Sequence, residues 1–242
     1  MFLSVPYAKP PIGELRWAAP HDIPPWSKTI ETKIPPPPCP QMSEEHKDTM
    51  SEDCLFMNIY KPVFERGSLL PIIVWLHGSD EYGVESGHAT DDDYGILASM
   101  ANAIVISVQY RLGIFGFLHA NVTGVGGNWA LLDQQLALQF ITTESANIGG
   151  NRDKIILAGH SGGAMCVGYH MLNWNSTQLL SGAISHSGQA IFHSGLEEYS
   201  QSMLDQLADA LGDGTDMSVM PLPNKIEHLR LQDMNSIITV SD

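Results

Sequence analysis

The sequence predicts an α/β fold, with a mainly parallel sheet flanked by helices. Three observations carry this. Short runs rich in β-branched residues recur along the chain, stretches with apolar residues at helical spacing stand between them, and one strand-like run passes through a glycine-serine turn directly into a helix. Strands that alternate with helices imply parallel pairing, because parallel neighbours need a crossover connection.

Residues 1–40 are rich in proline, including "IPPPPCP" (34–40). Proline fixes φ and restricts the residue before it, so this segment predicts extended, turn-laden chain rather than helix. "LFMNIYK" (55–61) alternates in polarity. "PIIVWL" (71–76) and "AIVISVQY" (103–110) are short β-branched runs of the kind that fill buried strands, and "KIILAG" (154–159) and "GAISHS" (182–187) are two more. Trp75 belongs to such a run and is expected in the core. Apolar residues at helical spacing predict helices over "NWALLDQQLALQFITTESANI" (128–148) and "GGAMCVGYHML" (162–172).

The composition sets limits on function. At 242 residues and 43% hydrophobic content the chain can bury a sizeable core, and disorder is not expected. The longest apolar run is shorter than 18 residues, and the start "MFLSVPYAKPPIG" lacks the basic and long apolar regions of a signal peptide, so no membrane span is expected. Twelve basic against 27 acidic residues give a net charge of -15, which disfavours nucleic acid and anionic lipid as partners. The run Asp91-Asp92-Asp93 reads as a solvated loop. The sequence contains no HExxH, no CxxC and no phosphate-binding glycine loop, so no metal or cofactor is expected. Cys39 and Cys54 bracket the polar stretch "CPQMSEEHKDTMSEDC", where a bridge would close a loop of ~15 residues and add roughly 3 kcal/mol. Two sequons, Asn121-Val122-Thr123 and Asn175-Ser176-Thr177, agree with an oxidising setting, either secreted or in the lumen of the endoplasmic reticulum.

The candidate nucleophile is Ser161. Gly159-His160-Ser161-Gly162-Gly163 fits G-x-S-x-G, a strained turn that exposes a serine hydroxyl between a strand and a helix. Here the motif has that context. The strand brings the chain to the carboxyl edge of the sheet, and the following helix aims its first N–H groups and positive dipole end at the turn. The competing reading is a plain strand-to-helix turn with an incidental serine.

A series of ordered motifs spans nearly the whole chain: "FLSVPYAKPPIGELRW", "SEDCLFMNIYKP", "LPIIVWLHG", "VISVQYRLGIFGFL", "GNWALLDQQLALQFI", "NIGGNRDKIILAGHSGG" and "GAISHSGQA". In this order they resemble the amino-terminal half of a type B carboxylesterase, from the cholinesterase-like branch of the α/β-hydrolases. The resemblance implies one partial α/β-hydrolase domain over residues 1–242, with family segments before Met1 and after Asp242 absent. It also implies that Ser161 is the nucleophile and that Cys39 and Cys54 form the family's first disulfide. Arg16 with Glu52, and Arg111 with Asp133, become structural ion pairs. The family's second disulfide has no counterpart, since Asp213 and His228 stand at those positions, and Cys166 is left as a buried free thiol. The Cys39–Cys54 loop contains no tryptophan, so the aromatic platform of the cholinesterases is not expected.

Ester hydrolysis through serine needs a histidine to take its proton and a carboxylate to hold that histidine. By the resemblance both lie beyond residue 242, so the chain alone is expected to be inactive. None of the ten histidines matches the family's catalytic position. His160 adjoins Ser161 on a turn whose neighbours point apart, and His186 and His193 are expected in core or surface roles. The oxyanion hole is implied at Gly78, Ser79, Asp80 and Gly162. The family's glycine-rich loop reads "HGSDEYG" (77–83) here. A carboxylate ~5 Å from a developing oxyanion costs roughly 3 kcal/mol at an effective dielectric of 20, which makes Asp80 unfavourable. Two functions follow. One is a serine ester hydrolase acting on a small-molecule ester. The other is a non-catalytic adhesion or binding protein on the same scaffold, which would have a protein partner.

Overall fold

The computed structural model describes residues 1–43, 46–63, 69–78, 87–90, 93–119, 126–191, 196–212, 214 and 216–241. Among the described residues six strands form one sheet: β1 (Phe2–Pro6), β2 (Phe56–Tyr60), β3 (Leu70–Leu76), β4 (Ile104–Val108), β5 (Gly150–His160) and β6 (Gly182–His186). The helices are α1 (Tyr94–Ala101), α2 (Gly113–Phe117), α3 (Trp129–Ile148), α4 (Gly162–Leu172), α5 (Trp174–Thr177), α6 (Leu196–Ala210), α7 (Leu222–Arg230) and α8 (Met234–Ser241). Strand order is β1-β2-β4-β3-β5-β6. β4, β3, β5 and β6 run parallel, while β1 and β2 form an antiparallel flank. Each of the five strand runs in the sequence therefore becomes a strand, and the sheet is mainly parallel as expected.

Hydrophobicity sets the layers. Ile72, Val74, Ile104 and Ile106 are wholly buried beneath Ala137, Leu138 and Ile141 of α3 and Val167 of α4. Trp75 packs against Tyr94 of α1, 6.1 Å between ring centroids, in a smaller cluster on the other face. A third cluster joins Trp17 and Phe115 to Leu204, Leu207, Ile226, Leu229 and Ile237 of α6–α8. β6 differs from expectation. It is an outermost strand with β5 as its neighbour, so Ala183 to His186 are exposed although their sequence reads like a buried strand.

Arg16 and Glu52 form a two-pronged pair, with Nε donating to Oε2 at 2.7 Å. Arg111 and Asp133 form another inside the core, at 2.8 and 2.7 Å. Burial pushes the Asp133 carboxyl above its ordinary value, and the Arg111 guanidinium pulls against that. Cys39 and Cys54 are bonded, with both residues fully buried. Replacing both with serine should lower stability by about 3 kcal/mol in urea unfolding, and an unchanged midpoint would show that the bridge is redundant. Among the described residues no helix is long and apolar enough to cross a membrane.

Candidate active site

β3 and β5 are parallel neighbours, with Leu76 opposite Gly159. Their carboxyl ends therefore deliver the segment at Gly78 and the turn at Ser161 to the same edge. Strand order also reverses here, since the chain passes from β3 to β4 on one side and later enters β5 on the other. Crevices beyond the carboxyl ends at such a switch point are where open α/β sheets bind ligands.

Ser161 sits between β5 and α4 with φ 51° and ψ -118°. A non-glycine residue held there stores on the order of 1–3 kcal/mol, which the surroundings must impose. They do so by contact. The Ser161 N–H donates to the His186 carbonyl at 2.9 Å, and the Ser161 carbonyl accepts from the Met165 N–H at 3.1 Å. Gly163 lies so close to the end of β3 that a Cβ on it would meet the Leu76 and His77 carbonyl oxygens at 2.3 and 2.5 Å. Gly188 presses on the other side, where a Cβ would lie 2.3 Å from the Ser161 carbonyl oxygen. Gly163→Ala must therefore displace backbone, and we expect a loss of about 1–3 kcal/mol in thermal unfolding. An unshifted melting curve would mean the turn is not wedged as described.

Two of the four implied oxyanion positions are described. Gly162 opens α4, so its N–H is one of those with no acceptor inside the helix. Gly78 abuts the end of β5, with room for a Cβ removed by the His160 carbonyl oxygen at 2.7 Å. Ser79 and Asp80 lie outside the described residues, as do Asn121, His193 and Asp213. The chain re-emerges at Gly87, whose φ of 123° suits only glycine and whose Cβ would fall 2.2 Å from the Gly78 carbonyl oxygen. Gly78 and Gly87 thus meet at the base of the loop between them.

That base is moored by polar residues which no periodicity singles out. Gln41 accepts from the Gly87 N–H at 2.9 Å and donates to the Gly87 carbonyl at 3.1 Å. Gln109 accepts from the Ala89 N–H and donates to the Pro37 carbonyl. Asn58 donates to the Ala89 carbonyl, and His88 bonds the Pro36 carbonyl. On the β3 side, the His77 ring stacks on Tyr110 at 4.4 Å, and Tyr110 Oη donates to the His77 carbonyl at 2.6 Å.

The histidines divide by burial. His77 is buried, which pulls it down to about 4, and its Nδ1 lies 3.2 Å from the Gly78 carbonyl, so the bond needs the proton on Nδ1. His170 is also pulled down to about 4 by burial, and it spans Ser176 Oγ and Gln134 Oε1 at 2.8 and 2.9 Å. Both are neutral packing elements. His160 and His186 are exposed beside the turn, with ring centroids 4.9 Å apart. His228 bonds the Leu211 carbonyl at 2.7 Å. Cys166 is a buried free thiol, pushed up to about 11 by desolvation, and no nucleophile at neutral pH. Asn175 is exposed at the start of α5, while Ser176 of the same sequon is buried against His170. Among the described residues no group of three or more metal-ligating side chains occurs.

Comparison with known proteins shows the family to which the chain belongs. Residues 1–241 match the carboxylesterase family. Pyrethroid hydrolase Ces2a of Mus musculus is 35% identical over 99% of the chain, which spans 44% of that protein. Liver carboxylesterase 1F of Rattus norvegicus is 36% identical over 91% of the chain and 41% of its own length. Acylcarnitine hydrolase of Mus musculus is 35% identical over 87% of the chain and 40% of its own length. The chain therefore spans less than half the length of these relatives, and with a family match over residues 1–241 it belongs to the carboxylesterase family.

Proposed function

We propose that residues 1–242 are the nucleophile-bearing part of a carboxylic ester hydrolase that works through an acyl-enzyme on Ser161. The observation that supports this most is the strained Ser161 backbone at the carboxyl edge of the sheet, held by Gly163, Gly188 and the His186 carbonyl. A turn with an incidental serine has no reason to hold it at φ 51°. In this reading Ser161 Oγ attacks the ester carbonyl carbon, and the Gly162 N–H with the loop at 78–80 receives the charge that develops on oxygen. The serine proton passes to a histidine outside residues 1–242, which returns it to the leaving alcohol. Water then releases the acyl group by the same route. Relatives named as a pyrethroid hydrolase and an acylcarnitine hydrolase support a small-molecule ester as substrate. The Cys39–Cys54 bond supports a secretory setting, with Asn121 and Asn175 as glycan acceptors.

The adhesion reading draws its support from the sequence "HGSDEYG", where Ser79 and Asp80 replace glycine at donor positions. One experiment separates the two. The natural polypeptide that contains residues 1–242 is mixed with p-nitrophenyl acetate, quenched within one turnover, and digested for mass spectrometry. Acetyl on Ser161, preceded by a burst of p-nitrophenol, is the expected result. The 242-residue chain alone should match its own Ser161→Ala variant. Acetyl confined to other residues of the natural polypeptide would overturn the hydrolase reading.

A further inference from the structure

We propose that His160 and His186 form a two-histidine clamp for a borderline transition cation, Zn2+, Cu2+ or Ni2+, on the rim of the Ser161 turn. β5 and β6 run in parallel register with His160 directly opposite His186. Residues paired this way across neighbouring strands project from the same face of the sheet. Their rings lie 4.9 Å apart at centroid with 37° between the planes, and both residues are exposed. Among the described residues, neither ring makes a hydrogen bond. Two imidazoles are thus held close together, with no bond from their ring nitrogens to another described residue.

The spacing suits a shared cation. With metal–nitrogen bonds of ~2.0–2.1 Å and ligands ~90° to ~109° apart, two imidazole centroids on one ion lie ~4.5 to ~5.2 Å apart. The 4.9 Å observed falls inside that range. His160 Nδ1 lies 3.3 Å from where a Cβ on Gly78 would stand, a place that glycine leaves open. The net charge of -15 raises the local concentration of cations. A second histidine pair, His46 and His88, has centroids 5.7 Å apart but lacks this freedom. Both His88 nitrogens are engaged, Nδ1 with Thr90 Oγ1 and Nε2 with the Pro36 carbonyl. With two protein donors and water in the remaining positions, the clamp binds more weakly than a closed site of three or four ligands. A cation there would place positive charge beside the Ser161 turn, on the β6 side of β5.

The proposal does not depend on catalysis, and its test needs none. The natural polypeptide that contains residues 1–242, untagged, is titrated with zinc chloride in a calorimeter, while the histidine Cε1–H signals are followed by NMR. One cation per chain is expected, with two histidine signals moving together. His160→Gln and His186→Gln should each weaken binding by about 10-fold or more, and His46→Gln should leave it unchanged. Both targets are exposed, and circular dichroism melts confirm that the variants fold. Zinc binding of parental strength in His160→Gln or His186→Gln overturns the clamp, as does the absence of heat and signal shifts at about 1 mM Zn2+.

Discussion

Asp133→Ala is expected to lower stability by about 3–5 kcal/mol, the penalty for leaving one member of a buried ion pair behind. Both partners are almost fully shielded, Arg111 at 2% and Asp133 at 0% exposure. Asp133 takes the Arg111 guanidinium on both oxygens and the Arg111 backbone N–H besides. The third arm of the guanidinium donates to the Ala18 carbonyl at 2.9 Å, so the charge cannot swing out to water without breaking another bond. For a chain of this size each kcal/mol moves the melting temperature by about 2–4 °C, so calorimetry should find a drop of roughly 6–20 °C. The double replacement Arg111→Met with Asp133→Leu should recover most of that loss, because it removes the stranded charge. A single variant that melts within 2 °C of the parent, taken as about 1 kcal/mol or less, would show that water reaches the pair.

Ser161→Ala, made in the natural polypeptide, is expected to lower kcat for p-nitrophenyl acetate by on the order of 10,000-fold or more, because the acyl acceptor is gone. A companion change separates chemistry from architecture. Alanine keeps the backbone penalty at φ 51°, whereas glycine has none, so Ser161→Gly should be equally inactive yet more stable by about 1–2 kcal/mol. Urea unfolding of the 242-residue chain reads that difference directly. Equal midpoints for the two variants would mean that the turn carries no strain, and retained turnover in the natural polypeptide would remove Ser161 from the reaction.

Much of the sheet was legible because β-branched runs of strand length leave few other solutions. "PIIVWL" lies wholly within β3, and the middle of "AIVISVQY", Ile104–Val108, became β4. β1 was not, since five residues beside a proline-rich segment carry too little pattern, and its identity comes from pairing with β2. The Arg111–Asp133 pair was visible only through family resemblance, as 22 residues of separation tell nothing about contact. Ser161 was legible because a strand, a glycine frame and a helix follow one another without a gap. The mooring of the loop base was not. Gln41, Asn58 and Gln109 act through backbone groups of distant segments, and bonds to backbone leave no trace in the partner's residue type. The contact of His160 with His186 depended on strand register, which hydrophobic pattern cannot fix on an exposed edge strand.

The Arg16 side chain also has a bearing on the order in which the molecule assembles during synthesis. Besides Glu52, it donates to the carbonyls of Leu229, Arg230 and Gln232 at the end of α7, and Arg230 Nε returns a bond to the Arg16 carbonyl at 2.9 Å. These contacts join residues more than 210 positions apart. A nascent chain emerging from the ribosome therefore has Glu52 for Arg16 and Phe115 for Trp17 early, but the bond from Arg16 to the Gln232 carbonyl waits until some 215 further residues have been added. Docking of α7 and α8 on the Trp17 cluster is thus a late event on the folding route, paced by loop-closure entropy over some 213 residues. A ribosome stalled before residue 222 holds a polypeptide in which β1 has β2 to pair with but Trp17 and Phe115 still lack the cover of α7 and α8, exposed apolar surface of the kind that aggregates.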